Sequence, residues 1–358
     1  MRKYTPFLKL KVNEIGALGE LPADIYPKIT PFFDLPHKKD RTAEELVKLI
    51  TASAKKLRKL ADRVPRFFLD LYDIPDDLIA HGSGLFNAVA QEFKGLDFIP
   101  VIGLDRSNGY INSVFSCQAG GQLKSQTLGI RLVDDDYQSY AACKSDISSL
   151  VAGATGAGFK DFTLILDMRL CANKSQIDLS STLSKFLTAL GPKPAFKEII
   201  ITGSTITAQI GELVPTESET IIDRVELATF QLLNYLPKTF IGFGDHTVVS
   251  PNYSEMDLAK EFLRNVTAPK IVYSYDDAHY VARGGALKSH SRGNAQYYDM
   301  ALPLVRKPFF RGAFYSFGEN FLLEKAAELG PLVTPSSILK PTICAHMTYM
   351  VRAHPLFI

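Results

Sequence analysis

The run Phe162-Thr163-Leu164-Ile165-Leu166-Asp167-Met168-Arg169 decides how this 358-residue chain is expected to fold. Side chains alternate between the two faces of a strand. Phe162, Leu164, Leu166 and Met168 therefore share one face, and Thr163, Ile165, Asp167 and Arg169 the other. One continuous apolar face opposite a face with ions at its C-terminal end fits a strand of a closed barrel. Such a strand packs one side on helices and turns the other to the barrel axis. Leu128-Gly129-Ile130-Arg131-Leu132-Val133 repeats the pattern, with Arg131 on the face opposite Leu128, Ile130 and Leu132. Phe7-Leu8-Lys9-Leu10-Lys11-Val12 opposes Lys9 and Lys11 to Leu8, Leu10 and Val12, and Phe68, Asp70 and Tyr72 oppose Phe67, Leu69 and Leu71. A later strand places Thr202 and Ser204 on one face.

Working outward, apolar β-rich runs begin near Tyr4, Lys28, Arg66, Phe98, Thr127, Phe162, Glu198 and Phe240. They lie roughly 25–45 residues apart with helical patterns between them, which predicts βαβ units and a parallel sheet. Eight such units fit an α/β fold of the (β/α)8 TIM type. An open doubly wound sheet is the rival, and no GxGxxG follows the first strand to support a dinucleotide-binding version. Thr42 and Glu45 form a capping box ahead of a helix. Helical periodicity covers Ser175–Leu190, Glu217–Leu236 and Ser254–Val266. Asp276 to Arg292 is expected to be a long loop, followed by helices around Asn294–Val305, Glu319–Leu329 and Ser336–His354. The expected organisation is a barrel over 1–275 and a loop with a helical C-terminal extension over 276–358, packed on the barrel.

A net charge of +2 gives little support to nucleic-acid binding. Cys117, Cys143, Cys171 and Cys344 form no CxxC pair and are expected to be reduced, buried thiols. No apolar run reaches the roughly 18–20 residues of a membrane span, and a cytoplasmic setting without membrane contact is expected.

The ionic residues cluster at strand ends, the rim where barrel enzymes build their sites. Asp34, Asp73, Asp105, Arg106, Asp245 and His246 join Asp70, Arg131 and Asp167 there. Unpaired charges inside a barrel cost several kcal/mol each, so they must pair, bind water or meet a ligand. Candidate substrate-binding cations are Lys9, Lys11, Arg131, Arg224, Arg283 and Lys288. Candidate catalytic groups are Glu226, Asp245, His246 and Asp167, suited to proton transfer. Arg224 and Glu226 face apart on a regular helix, so an irregular start is needed to aim both at one pocket. Arg283-Gly284-Gly285 with Lys288, His290 and Arg292 reads either as a solvated loop or as a lid carrying phosphate-binding cations. Asp70, Asp105, Asp167 and Asp245 are candidate ligands for Mg2+ or Mn2+. His346, within Ile343, Met347, Met350 and Val351, reads as a packing residue.

Several motifs together resemble the phage and bacterial "Beta protein" family. They are Tyr4-Thr5-Pro6-Phe7-Leu8-Lys9-Leu10-Lys11 with Glu14, Arg224-Val225-Glu226, Phe243-Gly244-Asp245 and Arg283-Gly284. They continue with Gly293-Asn294-Ala295-Gln296-Tyr297, Phe314-Tyr315-Ser316-Phe317-Gly318-Glu319 and Ala345-His346-Met347-Thr348. The resemblance implies a barrel-like fold and a bacterial or phage-infected host, and brings no established mechanism.

Three functions stay open. The first is an enzyme acting on an anionic, phosphate-bearing small molecule or nucleotide at the barrel mouth. The second is a non-catalytic binding protein of an anti-phage defence system, meeting a protein partner through its C-terminal helices. The third is a metal-dependent nuclease subunit.

Overall fold

The computed structural model describes residues 3–75, 78, 84–191, 196–233, 241–253 and 267–357. Eight parallel strands close a barrel: β1 (Tyr4–Lys9), β2 (Phe32–Asp34), β3 (Arg66–Asp70), β4 (Asp97–Gly103), β5 (Thr127–Leu132), β6 (Asp161–Leu170), β7 (Glu198–Ser204) and β9 (Ile241–Asp245). Helices α1 (Val12–Gly19), α2 (Ala43–Arg58), α3 (Leu85–Glu92), α4 (Asn108–Ala119), α5 (Tyr140–Gly156) and α6 (Gln176–Leu190) lie between successive strands. Thr42 Oγ1 accepts the Glu45 backbone N–H at 3.2 Å and starts α2 as its capping box requires.

Period-two alternation sorts the strand residues into two cores. Leu8, Phe33, Leu69, Ile130, Leu164 and Ile201 face the helices. Phe7, Phe32, Phe68, Ile99, Val101, Ile165 and Ile200 fill the barrel interior. Three of these rings stack across adjacent strands, Phe7 on Phe32 at 4.2 Å and Phe32 on Phe68 at 5.6 Å between centroids. Gly244 is required where β9 meets β1, since a Cβ there would stand 2.6 Å from the Thr5 carbonyl oxygen.

The chain departs from the sequence expectation on either side of β9. Ser218–Asp223 forms a strand, β8, rather than the first turns of a helix, and helix α7 is described over Val225–Leu233. In β8 side chains alternate between half-buried and exposed, a strand period that Leu227, Phe230 and Leu233 of the following helix masked. Asp276 to Arg292 is not wholly a loop either. Ala278–Arg283 is strand β11, paired antiparallel with β10 (Lys270–Tyr275) and with β8 in a three-stranded sheet of order β10-β11-β8. The helix expected over Ser254–Val266 lies outside the described residues.

One face of this second sheet, with Val272 and Val281, joins the main core. The other, with Ile271, Tyr273, Tyr280 and Ala282, packs on Tyr297, Met300, Leu304 and Leu322. Tyr297, Met300 and Leu304 come from helix α8 (Gln296–Val305) and Leu322 from α9 (Phe317–Ala326), and the last helix is α10 (Leu339–Arg352). Residues 341–351 of α10 are buried throughout. All four cysteines are buried and free. Among the described residues no helix is long and apolar enough to cross a membrane.

Candidate functional site

Strand register brings the ionic residues together at one end of the barrel. Lys9 pairs with Asp34, and Asp34 with Asp70, so the last residues of β1, β2 and β3 stand side by side. Above the Phe7–Phe32–Phe68 layer the interior becomes polar. At its centre Arg131 reaches Asp34 at 2.7 Å, Asp70 at 2.8 Å and Asp167 at 2.5 Å, all four buried. Its guanidinium lies between the Phe32 ring, 5.2 Å away, and the Tyr72 ring, 4.7 Å away. Charged hydrogen bonds of this kind offset the cost of burying the ions. Burial pushes the Asp34 and Asp167 carboxyls up, but the Arg131 guanidinium outweighs it and both end below the usual carboxylate range.

Around this centre, Arg106 reaches Asp70 at 3.0 Å and also pairs with Asp105. Arg169 is delivered by a break in the ladder, where the β6–β7 register shifts between Asp167 and Leu170 and Arg169 takes φ 52°. A bulge in a positive-φ conformation is strained and re-aims a side chain. Here Asp167 Oδ1 accepts the Arg169 backbone N–H at 2.7 Å, and the guanidinium reaches the Pro251 carbonyl at 3.2 Å and Asn252 Oδ1 at 3.3 Å. Tyr72 thus meets three guanidinium groups, with Arg106 at 4.8 Å and Arg169 at 4.6 Å from its ring.

Lys9 lies over the Tyr253 ring, 3.2 Å from its centroid, and donates to the Pro251 carbonyl at 3.3 Å. Lys11 is exposed and flanks the same ring at 5.4 Å. His246 is buried beside Phe7, its Nε2 3.8 Å from Asp167 Oδ1, too far for a hydrogen bond. Asp73 Oδ2, Arg106 Nε, Arg169 Nη1, Thr202 Oγ1 and His246 Nε2 are all buried without a hydrogen-bond partner among the described residues. Such groups are uncommon in folded proteins and call for an explanation. Beside Arg169, alone among these groups, opens a cavity of about 540 Å³ that it lines with Gln209, Glu212, Asn252 and Tyr253.

The remaining sequence candidates are elsewhere, so one pocket does not collect them all. In β9, Phe243 faces the helices, and Asp245 two residues on shares its face. Asp245 leaves the mouth and enters a buried seam between the barrel wall and α10. Tyr4 Oη donates to Asp245 at 2.5 Å, His346 Nε2 meets it at 3.0 Å, and Arg224 bonds it directly. Arg224 Nε also donates to Glu226 at 3.0 Å, and Glu226 accepts from Thr205 at 2.7 Å. Arg224 and Glu226 can meet because Arg224 precedes the helix in the turn out of β8.

Ser274 Oγ lies 2.6 Å from His346 Nδ1 and 2.9 Å from His279 Nδ1. A hydroxyl has one proton to give. A neutral His346 that donates from Nε2 to Asp245 accepts at Nδ1 from Ser274, and Ser274 then accepts from a neutral His279. Burial depresses both pKa values, which favours the same neutral forms.

Arg283 donates to the Val214 carbonyl at 2.7 Å and lines a separate cleft of about 270 Å³ with Glu217 and His290. Lys288 is exposed. Neither bonds the Arg131 carboxylates or lines the cavity beside Arg169. The metal-ligand expectation meets a physical obstacle: Asp70 and Asp167 converge on Arg131, Asp105 pairs with Arg106, and Asp245 is in the seam. Among the described residues no group of three or more His, Cys, Asp or Glu is placed to hold a metal ion.

The sequence candidates did not include Tyr253, Asn252, Gln209 or Glu212, and Arg169 was placed on the axis-facing side of its strand without being named for the site. Arg169 shares the axis-facing alternation of Asp167, a signal available in the sequence. The others stand outside the strands and had no periodic signal.

Fold and site define the class: a closed parallel β/α barrel with an ionic mouth at the C-terminal ends of its strands. The chain belongs to the Beta protein family, whose model matches residues 4–352. Among solved structures, one titled as the complex structure of a GH113 β-1,4-mannanase is similar at 12% identity. That match covers 72% of this chain and 92% of the other, with a TM-score of 0.32. The search of curated proteins finds no match.

Proposed function

We propose that the barrel mouth is the working site and that it binds a small anionic molecule, such as a phosphate-bearing metabolite or nucleotide, on which the protein acts as an enzyme. The observation that carries this reading is Arg169. A strained bulge holds its guanidinium beside a cavity of about 540 Å³, with one buried nitrogen lacking a partner. An arginine edge is a natural partner for phosphate or carboxylate oxygens. Gln209, Asn252 and Glu212 would receive the hydroxyl groups of such a molecule.

Arg131 serves this site from below by fixing three carboxylates rather than by touching ligand. Asp167, held deprotonated by Arg131, is a poor base and acts by positioning the Arg169 backbone. His246, with a free ring nitrogen, is the group left to move protons.

The test is a thermal-denaturation panel of nucleotides, sugar phosphates and divalent metals. A ligand present at about 100 times its Kd adds roughly 2.7 kcal/mol of stability. An anionic compound should raise the transition of the native protein and not that of Arg169→Met. No shift with any compound rejects the reading.

A second reading, a protein of phage–host conflict that binds a partner through its C-terminal helices, draws on exposed Phe314, Leu329 and Leu332 flanking α9. In cells challenged with phage, replacing Phe314 and Leu332 by Ser would then remove protection, while Arg169→Met would leave it intact. The nuclease reading gains nothing from carboxylates already engaged by arginines.

A further inference from the structure

Lys9 is an unusual lysine. Its ammonium is buried, and among the described residues it forms no ion pair, although five carboxylates surround the mouth. Arginines take the close positions on those carboxylates. Lys9 keeps a carbonyl oxygen and the face of Tyr253, whose ring stands between it and the cavity residues Arg169 and Asn252, so a carbonyl compound reaches the amine where Tyr253 gives way. The same Pro251 carbonyl also accepts from Arg169, so the amine and the anion-binding guanidinium converge on one oxygen atom.

We infer that Lys9 is a carbonyl-reactive amine, and that the mouth takes a small oxo compound carrying an anionic group, with the anion on Arg169 and the carbonyl carbon at Lys9 Nζ. This rests on the mouth being the ligand site and names the substrate class for it. In the step, the Lys9 nitrogen lone pair forms a C–N bond while the carbonyl π pair moves to oxygen. The nitrogen passes one proton to that oxygen, which takes up a second from an acid and leaves as water while the nitrogen lone pair closes the C=N bond; the nitrogen's other proton returns to the acid, so amine plus carbonyl becomes imine plus water.

Asp73 is placed to be that acid. Its Oδ2 is buried without a partner, its Oδ1 is 3.6 Å from Arg169, and burial raises its carboxyl above the usual range. Burial also lowers the Lys9 amine to about 8, with Asp73, Asp34 and Glu14 pulling it up and Lys11 pushing it down. At pH 8 such an amine holds on the order of 100-fold more free base than an exposed lysine.

The experiment uses the native full chain, glyoxylate as a small anionic aldehyde, and cyanoborohydride to reduce the imine, with modified lysines located by peptide mass spectrometry. Lys9 should be modified at least ten-fold faster than any other lysine. Its rate should rise with pH through about 8, the preference should shrink with neutral glycolaldehyde, and oxalate, an anion without a reactive carbonyl, should slow it. Arg169→Met should lose the preference for glyoxylate.

If oxalate stabilises the protein while Lys9 is labelled no faster than exposed lysines, the imine inference is wrong and the ligand site stands. If neither occurs, both fall. Equal labelling of Lys9 by glyoxylate and glycolaldehyde overturns the anionic substrate class. The decisive comparison uses native protein, so it does not depend on any variant folding.

Discussion

Removing the Arg131 guanidinium would leave Asp34, Asp70 and Asp167 buried against one another. Breaking a buried ion network in this way costs about 3–5 kcal/mol, and Arg131→Met is expected to lose that much in urea denaturation at pH 7. The pH dependence fixes the cause. In the native protein Asp34 and Asp167 sit below their ordinary pKa, so their stabilisation is present above about pH 4 and lost as pH falls. In Arg131→Met the orphaned carboxyls rise above it, so the folded state binds protons more readily and the deficit should shrink between pH 7 and pH 5. An unchanged deficit would mean that the ions are not coupled.

Glu14 gives the opposite sign. Burial raises its carboxyl to about 7, with Lys11 and the Lys9 backbone N–H opposing. Its ionisation therefore costs stability as pH rises from about 4.5 to 7. Glu14→Gln, which keeps an acceptor for that N–H, should stabilise by about 1–3 kcal/mol at pH 8 and give little at pH 4.5.

At the scale of elements, the seam joins both ends of the chain, with Tyr4 of β1 and His346 of α10 meeting on Asp245 of β9. His279 and His346 are held below the ordinary histidine value by burial, so the fold prefers them neutral. Their stabilisation is complete above about pH 6.5 and is lost as pH falls below it. Between pH 7.5 and 5.5 the native protein should lose stability relative to a His279→Gln, His346→Gln double variant, measured by denaturation midpoint, with the Glu14 contribution common to both and cancelling. Gly244→Ala tests the barrel closure. With a Cβ 2.6 Å from the Thr5 carbonyl, β1 and β9 must part, at about 1–3 kcal/mol.

Much of the barrel was legible because alternation is local: Arg131 and Asp167 needed only their own strands to be placed on the axis. Asp245 was misplaced although the same rule, applied from Phe243, puts it outside. The pairing of Arg224 with Glu226 was visible only as a need for an irregular helix start. β8 escaped because its partner is distant in sequence, Ser218 against Arg283, whereas β11 pairs with its neighbour β10 in a hairpin, Tyr275 against Ala278, and was masked by the Gly- and cation-rich run that follows it.

For the whole molecule, two ionic clusters divide the labour. The seam fixes the C-terminal unit to the barrel, and many residues that carry the family likeness sit there, among them Tyr4, Arg224, Glu226, Asp245 and His346. The mouth, with Lys9, Arg131, Asp167, Arg169 and His246, carries the unpartnered groups and the cavity. Its loop contributions from Gln209, Glu212 and Asn252 could not be read from the sequence, since assembling them takes the closed cylinder.

The most direct measurement is side-chain NMR of the arginine Nε–H groups during titration with inorganic phosphate. The Arg169 signal should move saturably while those of Arg131, Arg224 and Arg283 stay in place. Movement of Arg283 with Arg169 unchanged would contradict the account and move the ligand site to the cleft beside β11.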